Sequence, residues 1–156
     1  MQPNSNTIKQ WLADCNSIAE EALSLRLEGS KLVSGWQRVD KLRMDAIIQS
    51  VYHMNWSLAG IAANMDEVTR EPPPTREYTL EEIRYDDYES LTAPELETRT
   101  KAWYADAKNM HVLFHRALVG ISHLGHHPRV LGFLSARLGL DLEFFARQAE
   151  RAGVTL

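Results

Sequence analysis

Leu96, Thr100, Trp103, Ala107, Met110, Phe114, Ala117, Ile121 and Leu124 recur at spacings of four and three without a fault. That spacing puts all of them on one side of a helix, and a helix so patterned must hide that side against another element. The stretch opens with Thr92-Ala93-Pro94-Glu95. Its Thr and Glu stand where a capping box needs them, and its Pro suits a first helical turn. One long amphipathic helix beginning at Thr92 is the fixed point for the rest of the chain.

Two further stripes precede it. Ile8, Trp11, Cys15, Ile18, Ala22 and Leu25 step by three and four behind a Thr7–Gln10 capping pair, and Gly29 reads as the stop. Ser30 to Gly35 then reads as a short turn. Met44, Ile47, Val51, Met54, Leu58, Ile61, Met65 and Val68 place a second helix from Trp36 to Val68, about 50 Å long at 1.5 Å per residue. Gly60 inside it marks a close approach by another helix. After the central stripe, Gly125-His126-His127-Pro128 reads as a break, with Pro128 at the first position of a new helix. Val130, Leu131, Leu134 and Leu138 give that helix an apolar side ending at Gly139. Asp141 then caps a last helix with Leu142, Phe145, Ala149 and Ala152 facing in.

The pattern predicts an all-α protein: a single domain over residues 1–156, built as an antiparallel helical bundle of three long helices plus a short C-terminal helical hairpin. No segment alternates in the manner of a strand. Stripes this regular can also be shared between two copies, so a homodimer is a second outlet for apolar surface.

Residues 69–91 differ in character. Pro72-Pro73-Pro74 cannot continue a helix. An acidic run with three of the five tyrosines follows, in which Thr79 and Glu82 are spaced to cap one short helix. The segment reads as a crossover that packs its tyrosines on the bundle. It also reads as a partner-binding strap, with Tyr78, Glu81, Glu82, Tyr85, Asp86, Asp87 and Tyr88 meeting a basic surface.

Charge narrows the function classes. The net charge is −4, whereas proteins that clamp nucleic acid by displacing counterions carry a basic surplus. A basic face on an acidic chain would escape that argument. Cys15 is the one cysteine, which excludes an internal disulfide and fits a reducing compartment. It lies on an apolar stripe and reads as a small core residue. Residues 1–7 show no basic stretch followed by an apolar one, and no run reaches the roughly 18 apolar residues of a membrane span. A cytoplasmic protein is expected.

Five of the six histidines lie between Thr92 and His127. His111 and His115 are one turn apart on one helix face, a spacing at which two imidazoles can share a divalent transition metal such as zinc, with His53 or a carboxylate as third ligand. No Glu follows the first His as the HExxH pattern requires. His123-Leu124-Gly125-His126-His127-Pro128-Arg129 is the denser cluster. With His53 on an earlier helix, it resembles the DinB-like metal-binding four-helix bundles. That resemblance implies His53, His123 and His127 as ligands of a divalent metal serving thiol-dependent transferase chemistry. Pro128 directly after the cluster, and the unbroken stripe from Leu96 to Leu124, depart from that pattern.

The segment around Leu138-Gly139-Leu140 resembles a helix-turn-helix unit. On that reading Arg147, Gln148 and Arg151 would face a DNA groove. From Pro128 to Leu156, however, four Arg face three acidic residues, which is no basic patch. No phosphate loop, cysteine pair or nucleophile spacing is present, and no catalytic residue or cofactor is assigned. The chain reads first as a non-enzymatic helical protein-binding or regulatory module using the acidic crossover and the bundle surface. A metal-dependent bundle enzyme and a helix-turn-helix regulator are the alternatives.

Overall fold

A computed structural model describes residues 4–74 and 78–156, apart from the side chains of Ile83 and Asp86. Every regular element among them is a helix. Ser5–Ala63 (α1) is followed by three single turns, Asp66–Thr69 (α2), Leu80–Ile83 (α3) and Asp86–Glu89 (α4). Two long helices complete the chain, Ala93–Ser122 (α5) and Arg129–Arg151 (α6). None of the helices is long and apolar enough to cross a membrane.

The expected turn at Ser30 to Gly35 is not there. Helix continues through it, and the break falls at Asp40, whose φ of −158° and ψ of 61° are not helical. Asp40 restarts the helix as a cap. Its Oδ1 accepts from the Arg43 amide at 3.2 Å and its Oδ2 pairs with Arg43 Nε at 2.8 Å. Gly29 and Val51, eleven residues before and after Asp40, lie against each other, so the chain doubles back there. The arm before the break is residues 5–39, about 52 Å long; the arm after it is residues 41–63, about 35 Å. The start of α1 also differs from expectation. Asn4 is the cap, its Oδ1 accepting from the Thr7 amide at 2.8 Å.

The glycines of the first arm are seats for neighbouring side chains. A Cβ at Gly29 would stand 2.6 Å from Asn55 Oδ1 and 3.1 Å from the Trp103 ring, and one at Gly35 would stand 2.6 Å from Leu96. Two buried tryptophans fix α5 to this arm. Trp36 Nε1 donates to Thr100 Oγ1 at 3.0 Å, and Trp103 Nε1 donates to the Leu25 carbonyl at 2.8 Å. Trp11 meanwhile lies over Gly120. Rising numbers on α5 thus meet falling numbers on the first arm, and the two run antiparallel.

The C-terminal hairpin is absent: α6 is one helix through Gly139, Leu140 and Asp141. Gly139 is a contact point, packed on the His111 ring, and Asp141 accepts from the Ser57 hydroxyl at 2.7 Å in place of capping a helix. Leu134 packs over Gly60, and Phe145 meets Trp103 edge-on with ring centres 5.6 Å apart. These pairs set α6 antiparallel to both the second arm and α5. Pro128 is the cap position of α6 and offers no side chain for capping. Glu67 of α2 supplies the carboxylate instead, accepting from the Leu131 amide at 2.9 Å and the Val130 amide at 3.4 Å. Gly125, at φ 84°, breaks the chain between α5 and α6 as expected.

Gly29→Ala forces Asn55, Trp103 and Val51 apart and lowers stability by about 1–3 kcal/mol in urea unfolding. At Gly132, where a Cβ meets nothing within 4 Å, Ala raises stability by up to about 1 kcal/mol. Equal effects at the two positions would contradict the packing described.

Candidate functional site

The crossover tyrosines turn toward the chain itself. Tyr88 is 2% exposed, and its hydroxyl donates to Glu28. Arg99 lies 4.8 Å and Lys31 5.8 Å from its ring centre. Arg38 donates to the carbonyls of Tyr88 and Leu91. Tyr78 donates to the Leu23 carbonyl, and Tyr85 is half-buried. Glu82 closes the expected capping box with Thr79. Glu81 and Asp87 are exposed, while the Asp86 side chain lies outside the described residues. The strap is thus sewn to the first arm and α5 by its aromatic and carbonyl groups, with the Glu81, Asp87 and Glu89 side chains exposed.

Beside that seam is a cleft of about 470 Å³ floored by Leu25 and Trp103. Glu21, Glu28 and Asp106 line it with Arg99. Burial holds the Glu28 carboxyl above its usual range; Asp106 adds to this, and Lys31 and Arg99 oppose it. Burial, then Asp106, does the same to Glu21. Sequence reading missed this group. Its members lie seven apart on each helix, Glu21 with Glu28 and Arg99 with Asp106, a face signal visible only once the two helices are known to be neighbours.

The histidines do not converge. His53 is exposed on the second arm, and His123 and His126 are exposed at the end of α5. His127 Nδ1 lies 3.2 Å from Ser122 Oγ. Ser57 meets Asp141 and Glu67 meets Leu131, so the second arm runs along α6 toward its start, and His53, one turn before Ser57, lies at the end remote from His127. Some 18 Å of helix separates the Asp141 level, which His53 lies beyond, from Arg129. The set His53, His123 and His127 is therefore not assembled. His111 and His115 do share a face, but the His111 Nε2 lies 2.8 Å from the Ser135 carbonyl. Among the described residues no three His, Cys, Asp or Glu groups are placed to hold a metal ion. The helix-turn-helix unit is likewise not formed: α6 has no turn, Gln148 is buried, and Arg147 and Arg151 are exposed on a continuous helix.

What the structure does bring together is a groove between α5 and α6. A cleft of about 440 Å³ has His111, His115, Leu118 and Val119 on one wall and Gly132, Ser135, Ala136 and Gly139 as its floor. A second cleft of about 280 Å³ shares Leu118, Ser122 and Gly132 and continues to His127, Arg129 and Phe133. The Ser135 hydroxyl, on a residue 4% exposed, has no hydrogen-bond partner. Outward of the groove α6 carries a second apolar row, Phe133, Leu140 and Phe144. On its far side Arg137 stacks on Trp56, 4.4 Å from the ring centre, with Tyr52 one turn away on the same arm. Compared with protein families, with curated proteins and with solved structures, the chain matches none.

Two measurements check the chemistry of this core. Tyr88→Phe removes the Glu28 hydrogen bond and costs about 1 kcal/mol; amide exchange accelerates across Asp86–Glu89 while the middle of α5 is unchanged. Burial, with Asp14 beside it, pushes the Cys15 thiol up to about 11. The folded state therefore favours the protonated thiol. Its contribution to stability is whole below the unfolded value of about 8.5 and is lost as pH rises from there through about 11. At pH 8 an aromatic disulfide reagent labels native Cys15 at least about 100-fold more slowly than the denatured chain.

Proposed function

We propose that this chain is a helical protein-binding module whose contact surface is the outward side of α6 with the groove beside it. The observation that supports this most is the second apolar row. α6 already buries Leu131, Leu134, Leu138, Leu142 and Phe145, yet it leaves Phe133 59% and Leu140 66% exposed. A helix apolar on two sides has surface left to cover. The row adjoins Trp56, 56% exposed, under the Arg137 guanidinium. Aromatic rings and arginine are the side chains that dominate binding energy at protein interfaces.

The acidic crossover joins the same proposal in a lesser part. Tyr78 and Tyr88 are engaged inward, so its contribution to a partner is the exposed carboxylates of Glu81, Asp87 and Glu89 beside exposed Leu80. The partner is a protein, and no reaction is assigned.

A photo-crosslinking amino acid at Leu140, introduced in the cells the sequence comes from, captures a protein adduct; the same group at exposed Glu20 does not. Phe133→Asp removes the adduct while shifting stability by no more than about 0.5 kcal/mol. Loss of such an anchor costs about 2 kcal/mol of binding or more, close to 30-fold. Sedimentation of the pure chain separates a second copy from a different protein. Equal capture at Leu140 and Glu20, or none at either, refutes the reading.

A further inference from the structure

The groove between α5 and α6 has a floor almost without side chains. A Cβ at Gly132 meets nothing within 4 Å, and one at Gly139 meets only the His111 ring, at 3.1 Å. With Ser135 and Ala136 these positions recur by three and four along α6, the spacing at which ridges of an incoming helix find grooves. The trough runs from Gly139 to Arg129, about 15 Å of helix or nearly three turns. It is concave, so it suits a rod better than the flat surface of a bilayer. The buried Ser135 hydroxyl has no hydrogen-bond partner among the described residues, and a buried polar group left so is costly until something supplies one.

Charge says what kind of rod. Lys108 lies one turn before His111, Arg116 one turn before Val119, and Arg129 at the far end of the trough. His115 and His127 line the trough as well, and Glu143, one turn past Gly139, is the carboxylate on this rim. Three fixed cations outnumber Glu143 there, and Glu67, near the Arg129 end, is engaged with the Val130 and Leu131 amides, so the rim is positive on a chain whose net charge is −4. The rest of the surface is correspondingly acidic and repels what this rim attracts.

We propose that the occupant of this groove is an amphipathic helix of a partner protein with carboxylates flanking its apolar stripe. Its apolar side chains sit over Gly132 and Ala136, beside the His111 ring, and one polar group on it meets the Ser135 hydroxyl. This rests on the protein-binding reading above and narrows it to a groove and a chemistry.

The test uses a displayed library of helices of about 18 residues, long enough to hold helical structure, with a fixed leucine stripe. Its flanks are randomised among Glu, Lys, Gln and Ser. The library is panned against the full chain, with Gly132→Trp as the counter-target. Position 132 opens into empty space, so that variant keeps the wild-type thermal transition while filling the trough. Enriched helices carry Glu at their flanks. They bind Gly132→Trp and the double variant Arg116→Glu, Arg129→Glu at least about tenfold more weakly, and they release as salt rises. Enrichment of Lys, or equal binding to Gly132→Trp, overturns the proposal. Binding to phosphatidylserine vesicles with no helix enriched also overturns it, in favour of a membrane surface. Capture at Leu140 alongside failure of acidic helices would leave the protein-binding reading standing and this inference refuted; loss of both removes both.

Discussion

Two tryptophans must be buried with their indole N–H groups satisfied, and the first arm of α1 is shaped to allow it. Trp103 reaches the Leu25 carbonyl, which lies one helical turn below Gly29. Only the missing side chain at Gly29 leaves that carbonyl open from the side, since a Cβ there would press on the Trp103 ring itself. Trp36 donates to Thr100, Thr100 donates to the Leu96 carbonyl at 2.7 Å, and Leu96 occupies the hollow at Gly35. Both indole N–H groups and the Thr100 hydroxyl are thereby paired. These two pins fix the register of the long first arm on α5, together with Leu96 at Gly35 and Trp11 at Gly120, and the return of the chain at Asp40 brings its second arm against that pair.

Sequence made the helical stripes legible because a period of three and four is imposed by burial and needs no neighbour to be seen. The capping box at Thr92 was legible for a similar reason, since both partners are three residues apart. Glycine was the ambiguous letter. Gly125 and Gly153 end helices at positive φ, whereas Gly29, Gly35 and Gly139 lie inside helices and accept a neighbour's side chain. The local sequence does not separate these uses, because the second depends on what lies across the interface. Asp40 was missed for the opposite reason. It breaks the helix through its side chain's competition for the Arg43 amide, a signal far weaker in sequence than Gly or Pro.

The site was less legible than the fold. Tyr88 reads as a contact residue by type, but its partner Glu28 is sixty positions away. Only the fold decides that it faces inward. The histidines were conspicuous by number, yet number does not make rings converge, and Ser135 engages His111 through a backbone carbonyl that no sequence advertises. The outward row of α6 was present in the spacing of Phe133, Leu140 and Phe144. Placing a turn at Gly139 cut that row in two and hid it.

The two sides of α6 do separable jobs. Its position is held from within by Leu131, Leu134, Leu138 and Phe145, by Asp141 under Ser57, and at its start by the Glu67 carboxylate. On the outward row Phe133 and Leu140 are mostly exposed. Phe133 and Leu140 therefore add little to folding while raising the tendency to associate. Stability offers little reason for large apolar groups there, and the proposed protein contact would cover them. The same logic applies to charge, since arginines placed around an apolar row on an acidic chain lower the cost of one encounter and raise that of others. A face held in place by such contacts loses little entropy when something settles on it.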